Sequence, residues 1–457
     1  MTDWNAALFT KLYSKMALAL GVTPDEQGDA ELAAELGEPL PPRYSPTAAR
    51  QDPQFLLAIL NPGQYVPADL NPAHDLDDWY ALSVLLSRVP QFSWVYKPAA
   101  SSVDNNYRSV LEYKEAPEVH LTPEQLKQLD AATKTAEKYE DVYEKYRDAY
   151  EVAITAYDSA YADYKDGGPP VPPSLKRKVT AALQDWQRLG HRSAVDSATA
   201  IIARYEALEP ETFWYKLTER FETGAQDAGL GSPFQPVGVS PPYKSWFGEH
   251  GWTSFSFDQK DMDNQQESQA IGVSGSLDGT FGIFKVSGDG DYSKDSSYTK
   301  MTQTELAFSC KLLRVSLDRP WMNPLVLSSR AWRWAPGTPT YGSQFSTGAD
   351  IASDVAPTGT MTVIPTAAIL SKDLLVKGNF TDTIVKQMNT AIKAKASVGI
   401  GPFSISGRFN MADHSGSQTG VIANNQISAP DVQIVAFVCE VLPKSPDPDP
   451  TLKWPNP

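Results

Sequence analysis

The chain has 457 residues, 41% of them hydrophobic and 21% charged, and its formal net charge at pH 7 is −15. This length and composition argue against an intrinsically disordered protein and predict two or three globular domains. The acidic balance disfavours nucleic acid as a partner, because an acidic surface repels phosphate groups. Two cysteines, Cys310 and Cys439, are too few for a disulfide framework. Since each lies in an apolar pattern, we expect two buried thiols rather than a bridge.

The N-terminal sequence predicts no secretion signal. Asp3 stands where a positively charged region is expected, and the apolar run Met16–Leu20 is too short. No stretch approaches the roughly 18 apolar residues of a transmembrane helix. We therefore expect a protein that is cytoplasmic as synthesised, with a non-classical export route left open.

Residues 1–120 are predicted to form a mixed, mainly helical region. Residues 2–20 predict an amphipathic helix, because large apolar residues recur there at every fourth position. The other predicted elements of this region are short: helices at 53–60 and 73–88, and strands at Phe92–Tyr96 and Arg108–Tyr113. His74 is followed by three acids, Asp75, Asp77 and Asp78. A metal site could use such a set, but acids in the first turn of a helix are favoured by the helix dipole, and we prefer that interpretation.

The strongest periodic signal falls in residues 121–224, which predict a long helical hairpin. Thr122 suits the N-cap of the first helix, with Pro123 in the first helical position, and Gly167–Pro170 ends it. Alanines and tyrosines recur along this helix at gaps of three and four, the spacing of a heptad seam. The tyrosines of the predicted seam are Tyr139, Tyr143, Tyr146, Tyr150, Tyr157 and Tyr164.

A second helix is predicted at about 174–208, and the short connection before it favours an antiparallel pair. A third helical segment, 211–224, carries aromatic residues on one face. A bare pair of helices of this length needs a partner surface, so self-association is expected.

From residue 251 the hydrophobic period changes to two, which is typical of half-buried strands. Residues 225–442 are therefore predicted to be a mainly antiparallel β-rich domain, entered through a Gly- and Pro-rich linker. Within it, Val432–Leu442 is continuously apolar and suits a central strand, whereas 381–396 predict a short helix. The Pro-rich tail, 443–457, is expected to be extended rather than packed.

Two parts of the β-rich domain, about 268–313 and 394–442, resemble each other and predict an internal duplication. The matching pieces are Phe284–Gly288 with Phe403–Gly407, and Phe308–Leu313 with Phe437–Leu442. The matches are short and strands draw on few residue types, so chance similarity is the alternative. A true duplication would give one β-unit with approximate twofold symmetry, because a solenoid needs three or more copies.

A segment dense in tryptophan and arginine lies between the two copies. Its residues are Arg319, Trp321, Arg330, Trp332, Arg333 and Trp334. The simpler interpretation is a loop whose indoles cap the end of the sheet. The functional interpretation is a partner or ligand surface, since Trp and Arg dominate binding hot spots. The residues of that predicted surface are Arg319, Trp321, Arg330, Trp332 and Trp334.

The sequence carries no recognisable catalytic motif. It lacks a Gly-x-Ser-x-Gly elbow, a P-loop and a His-Glu-x-x-His helix. Asp289–Asp295 has the alternating oxygen ligands of a calcium loop, but Lys294 and Lys300 replace the required glycine and glutamate. We therefore predict no catalytic residues, no metal site and no cofactor, although carboxylates brought together only by the fold carry no sequence motif.

In chain order these elements predict an α+β multidomain protein. A helical N-terminal half with a long antiparallel helical hairpin precedes a mainly antiparallel β C-terminal half with an internal duplication. The favoured function is a non-enzymatic structural or interaction protein that binds protein partners or itself.

Two other functions are left open. The first is a pore-forming or membrane-acting, toxin-like protein that inserts amphipathic β-hairpins. Its basis is that Ser268–Tyr292 and Ala394–Met411 alternate apolar with small or polar residues. A membrane is an expected partner only under this alternative. The second is an enzyme or small-ligand binder with a pocket near Trp321 and Trp332.

Overall fold

The chain is an α+β protein in which a long antiparallel helical hairpin precedes a mainly antiparallel β-rich part. The computed structural model describes residues 8, 11–13, 15–16, 19, 55–93, 96, 98–117, 123–165, 169–206, 210–229, 233–258, 261, 283–286, 306–348, 357–378, 380, 382–393, 397–411, 414–423 and 426–455.

The helices fall mainly before residue 225. Their bounds are α1 Leu76–Ser87, α2 Val103–Tyr113, α3 Pro123–Lys165, α4 Pro173–Arg188, α5 Arg192–Glu206, α6 Pro210–Gly224, a 3-10 helix Tyr243–Phe247, α7 Leu325–Ser328 and α8 Asp382–Lys393. The described residues between 8 and 19, which we call the N-terminal segment, are helical as well.

The strands fall mainly after residue 237. Their bounds are β1 Phe55–Tyr65, β2 Arg88–Pro90, β3 Pro98–Ser102, β4 Lys114–Glu115, β5 Gly238–Ser240, β6 Thr253–Phe257, β7 Ile283–Val286, β8 Ala307–Asp318, β9 Arg333–Trp334, β10 Val363–Lys377, β11 Ser397–Ile400, β12 Phe403–Met411, β13 His414–Thr419, β14 Val421–Ala423, β15 Gln426–Ala429 and β16 Gln433–Val441.

The main sheet has eight strands in the described part of the chain, and the pairs between them are antiparallel. The long strand β10 lies at its centre, with β16 and then β1 on one side and β8 on the other. The far edge of β8 carries β5 and β6, while β15 and β14 continue beside β10 beyond the end of β16.

Both faces of the main sheet are buried. Along β10, Ile369 packs into the core of one face and Leu370 into the core of the other. Leu57 and Ala58 of β1 are divided in the same way. A strand with two buried faces reads as a continuous apolar run. The central strand predicted at Val432–Leu442 is therefore confirmed as β16, which lies between β1 and β10.

A second sheet covers one of these faces. Its strand order is β13–β12–β11–β7. Val398 and Ile400 of β11 and Phe403 of β12 share a core with the main sheet. The N-terminal segment and α8 complete this layer, through residues such as Met16 and Met388.

The helical hairpin is built on α3, which is 43 residues long and so spans roughly 65 Å. Trp186 of α4 stacks on Tyr150 of α3 with ring centroids 5.6 Å apart. Further along, Ala198 and Ile202 of α5 pack on Ala132. Because α4 meets the later part of α3 and α5 meets the earlier part, the chain returns antiparallel, as the sequence predicts.

The predicted second helix is wrong in one respect, because it is broken between α4 and α5. Gly190 lies so close to Trp186 that an added Cβ would be 2.6 Å from that residue's carbonyl oxygen. The next residue, His191, has a φ of 51°, in the left-handed region that a helix cannot continue through.

The predicted helices at 73–88, 211–224 and 381–396 correspond to α1, α6 and α8. The helix predicted at 53–60 is wrong, because those residues lie largely in β1, and burial on both faces removes the two-residue rhythm.

Two predicted strands are also wrong. Arg108–Tyr113 belongs to α2, in which Val103, Tyr107 and Val110 are buried at helical spacing. In Phe92–Tyr96, neither Phe92 nor Ser93 is in a strand.

The predicted regional boundaries do not separate the sheet from the N-terminal region. Residues 55–65 supply β1, although every other strand of the main sheet lies beyond residue 237 in the described part of the chain. The division at residues 120, 224 and 442 thus remains a prediction. The tail is packed, contrary to expectation: Ser445 is buried, and its amide donates to the carbonyl of Ser346 at 2.9 Å.

Candidate functional site

Two long excursions leave the main sheet at one end of its strands. A row of directly opposed residues crosses four neighbouring strands: Phe257 in β6, Phe308 in β8, Val376 in β10 and Ile427 in β15. The chain between the first two, 258–307, and the chain between the last two, 377–426, are each 50 residues long. We call these the first and second excursions. Because the four strands are antiparallel, both excursions start and finish at the same end.

The two excursions pair with each other. Strand β7 of the first excursion lies antiparallel to β11 of the second, with Lys285 opposite Val398. Strands β12 and β13 extend the same sheet. The second sheet therefore consists of excursion residues alone, in the part of the chain that is described.

Strand β12 is amphipathic even though both of its faces are buried where side chains are described. Phe403 and Ile405 lie in the core beneath the sheet. Ser404, between them, donates its amide to Oε1 of Gln433 at 2.6 Å, and Nε2 of Gln433 donates back to the carbonyl of Ser404 at 3.2 Å. The side chains of the polar face, Ser404 and Ser406, are buried as well, and the Ser404 hydroxyl donates to the carbonyl of Ser406 at 3.3 Å. The stretch Ser268–Tyr292 lies outside the described residues except for the backbone of 283–286, as does all of Asp289–Asp295.

The N-terminal segment packs against the start of the first excursion. The ammonium of Lys15 lies 2.6 Å from a carboxylate oxygen of Asp261, and both side chains are buried. The other oxygen of Asp261 accepts from the amide of Asp258 at 2.7 Å. The hydroxyl of Tyr13 donates to the carbonyl of Leu57 in β1 at 2.9 Å. The segment therefore joins the first excursion to β1, the strand at the opposite edge of the main sheet from β6.

The register of the sheet gives the predicted duplication a sharper form. Phe284 and Phe403 each lie 27 residues beyond the row, counted from Phe257 and from Val376. The sequence match pairs Phe308 with Phe437. In the register of the sheet, however, the residue that corresponds to Phe308 is Ile427. The duplication remains a prediction, and the equal lengths and offsets support it.

The predicted tryptophan and arginine surface is largely buried. Trp321, Trp332 and Trp334 lie in a core with the aromatic residues of α2 and α6. The indole of Trp332 donates to the carbonyl of Val326 at 2.7 Å. This corrects the functional interpretation: large aromatic rings in this segment fill a core. The same core holds Ile364 and Leu442 from strands of the main sheet or next to them, which agrees with the simpler interpretation of indoles capping the sheet.

The arginines of this segment hold neighbouring elements together. Arg319 is buried and donates to the carbonyls of Pro365 at 2.7 Å and Leu86 at 3.1 Å. Arg333 forms an ion pair of 2.6 Å with Glu115. Of the five predicted surface residues, Arg330 alone is exposed, and it pairs with Asp447 at 3.0 Å.

The predicted tyrosine seam is brought together in part. Tyr150 and Tyr157 are buried against α4, with Tyr143 and Tyr146 at the edge of the same cluster. Tyr139 stacks on His191 with centroids 3.9 Å apart, at the break between α4 and α5. Tyr164 is exposed.

The helix α3 also packs against the main sheet, which sequence reasoning missed. Glu151 of α3 lies 3.1 Å from Arg314 of β8. Nearby, burial raises the pKa of Glu144 to about 7, and the carboxylate of Asp318 is the next largest cause. Burial raises the pKa of Asp148 and of Asp318 as well. Burial therefore favours the protonated form of the carboxyl groups where the hairpin meets the sheet.

Replacing Glu144 with Gln should stabilise the protein at pH 8 and have little effect at pH 5. The folded pKa of this acid is raised above its unfolded value, so the folded state prefers the protonated form. Stability then falls as pH rises from about 4.5 through 7, and a neutral Gln avoids that loss. Urea unfolding at both pH values would measure it, with exposed Glu137→Gln as control. The guanidinium of Arg147 lies 3.8 Å from the Glu144 carboxylate, and destabilisation of Glu144→Gln at both pH values would show that this pairing dominates instead.

Other site classes find no support in the described ranges. No group of three or more His, Cys, Asp or Glu there is arranged to hold a metal ion. No helix there has the length and apolar composition required to span a membrane. Cys310 and Cys439 are free and buried, as expected, and Asp75 caps α1 through the amides of Asp77 and Asp78.

No protein-family model matches the chain, and no curated protein or solved structure is detectably similar to it.

Proposed function

We propose that this protein acts on membranes by inserting its two excursions as neighbouring amphipathic β-hairpins that continue the main sheet. The observation that carries the proposal is the row Phe257–Phe308–Val376–Ile427, from which two excursions of equal length emerge side by side. Four antiparallel strands already stand in register there, so extended excursions would prolong an existing sheet.

The chemistry of the excursions suits such an extension. Strands within a bilayer must satisfy their amide and carbonyl groups by pairing, which an antiparallel sheet achieves. In a strand whose apolar and polar side chains alternate, as in Phe403, Ser404 and Ile405, the apolar side chains would face lipid and the polar ones would face water.

The excursions are also long enough. Each could form a hairpin with arms of about 25 residues, or about 80 Å when extended. A transmembrane strand needs only about 9–11 residues. In the conformation described, the apolar faces of the excursions are buried. Strands β12 and β13 pair with each other although both lie on the returning arm of the second excursion, so extension of that arm requires them to separate. Strands β7 and β11 can stay paired, because Lys285 and Val398 lie 23 and 22 residues from Phe308 and Val376, which are opposed in the row.

Release of a dye trapped in liposomes tests the proposal. The full chain is expected to release dye in proportion to its concentration, from vesicles of at least one neutral or anionic composition between pH 5 and 8. No release across that range would overturn the proposal.

A fluorophore scan tests the geometry of insertion. Single cysteines at Ile271, Val273 and Leu277 should carry an environment-sensitive dye into lipid, with a blue shift on adding vesicles. Dyes at the alternate positions Gly272, Ser274 and Ser276 should stay in water. A uniform response at all six positions would contradict an amphipathic strand.

Self-assembly or partner binding is a second candidate function, and apolar residues exposed on the helical hairpin favour it. Val142 and Val152 of α3 and Ile201 of α5 are among the exposed large hydrophobics. Light scattering after gel filtration should detect association at micromolar concentration, weakened by Val142→Lys with Val152→Lys. A strict monomer over that range would remove this candidate.

A further inference from the structure

A cavity of about 400 Å³ opens between the start of α1 and the chain around β5. Leu82 and Tyr243 in its lining are buried, whereas Leu76 is 43% exposed, so the cavity reaches solvent at that side. Its volume lies within the range of small-molecule sites, roughly 300–1,000 Å³. It adjoins β5, which pairs with the last residues of β8, and so lies about 30 Å along that strand from the excursions.

The cavity offers its occupant apolar and aromatic surface rather than hydrogen bonds. The indole of Trp79 already donates to the carbonyl of Val237 at 3.3 Å. The hydroxyl of Tyr243 already donates to the carbonyl of Pro67. With Leu82 and Pro242 in the same lining, an occupant would meet mainly carbon.

The charges around the cavity oppose an anion. A helix start such as that of α1 can attract an anion through free amides, but the Asp75 carboxylate accepts from the amides of Asp77 at 2.9 Å and Asp78 at 3.3 Å. No Lys or Arg is among the lining residues that the structure describes. Burial raises the pKa of Tyr243, and the carboxylates of Asp69 and Asp78 add to that effect, so the local field is negative.

We propose that this cavity binds a small organic cation with an apolar or aromatic body, such as an alkyl or aryl ammonium ion. Aromatic lining and a nearby carboxylate both favour a cation over its neutral counterpart, by about 0.5–2 kcal/mol for the ring contact. This site is independent of the proposed membrane activity.

Isothermal titration of the full chain tests the site with three probes of similar size. Benzyltrimethylammonium should bind with a Kd below about 1 mM, benzyl alcohol about tenfold more weakly, and benzenesulfonate not at all.

Two variants locate the site. Asp75→Asn removes the charge and keeps a residue that caps helices equally well, and should weaken the cation about threefold or more. Leu76→Arg adds a cation at an exposed position and should weaken binding about tenfold or more. Val421→Arg, at a 62% exposed residue far along the chain, is the matched control and should bind as the parent does.

Three results would overturn the inference. They are no heat with any probe up to about 10 mM, binding of benzenesulfonate as tight as that of the cation, or unchanged cation binding by folded Leu76→Arg. Circular dichroism of each variant separates lost binding from lost folding. None of these results depends on whether the protein releases dye from liposomes.

Discussion

A disulfide between β12 and β13 is expected to reduce dye release by at least about tenfold, and reduction should restore it. Arg408 and Ser417 lie directly opposite each other in these strands, although both belong to the returning arm of the second excursion. Opposed residues of antiparallel strands have Cα atoms about 4.5–5.5 Å apart, which suits a disulfide. Arg408→Cys with Ser417→Cys would therefore hold together the two strands that insertion must separate.

The native cysteines should not interfere with this experiment. A thiolate is the attacking species in disulfide exchange. Burial raises the pKa of Cys310 to about 12, and it raises the pKa of Cys439 too, so both stay protonated at neutral pH.

A second disulfide provides the matched control. Ala307 and Lys377 are opposed in β8 and β10, at the roots of the excursions. Those two strands stay neighbours whether or not the excursions extend, so Ala307→Cys with Lys377→Cys should leave dye release unchanged. Equal release by the oxidised and reduced forms of the first variant would contradict separation of β12 from β13.

Replacing Lys15 with Met should destabilise the protein by about 3–5 kcal/mol, because it removes the buried ammonium that lies 2.6 Å from the carboxylate of Asp261. That loss is a large part of the roughly 5–15 kcal/mol that holds a typical domain folded. Urea unfolding of the parent and the variant measures it.

The double variant Lys15→Met with Asp261→Asn separates charge from packing. The Asn side chain can still accept from the amide of Asp258, as the carboxylate does. We expect it to regain most of the lost stability, since removing both charges of a buried pair is often nearly neutral. A double variant as unstable as Lys15→Met would mean that packing of the Lys15 stem dominates.

Under the proposed function, Lys15→Met alone should also release dye faster than the parent.

The sequence predicted the helices well where one face alone is buried. The 43 residues of α3 keep a regular spacing of apolar residues along one side, so length and direction followed from the pattern. The break at Gly190 was missed, although glycine is common just after the last turn of a helix and this one lies four residues beyond Trp186, against which it packs. Strand β1 was missed because residues buried on both faces carry no alternation.

The candidate site was predicted only in outline. Alternation within 394–411 and the match of Phe284 to Phe403 were visible in the sequence, but their shared offset of 27 residues needs the register of the main sheet. The predicted tryptophan surface is wrong, because large aromatic side chains occur in protein cores as well as on binding surfaces. The pair Lys15–Asp261 joins residues 246 positions apart, and no local pattern could indicate it.

The common row at which both excursions begin and end constrains how their lengths can vary. In a strand, inserting one residue turns every later side chain to the opposite face, whereas inserting two restores the original facing. Under the proposed function α8 becomes part of an extended strand. Natural variants of this chain should then gain or lose residues in even numbers between Val376 and Phe403, and again on the returning arm to Ile427. Odd changes should be confined to the turn itself, where parity carries no consequence.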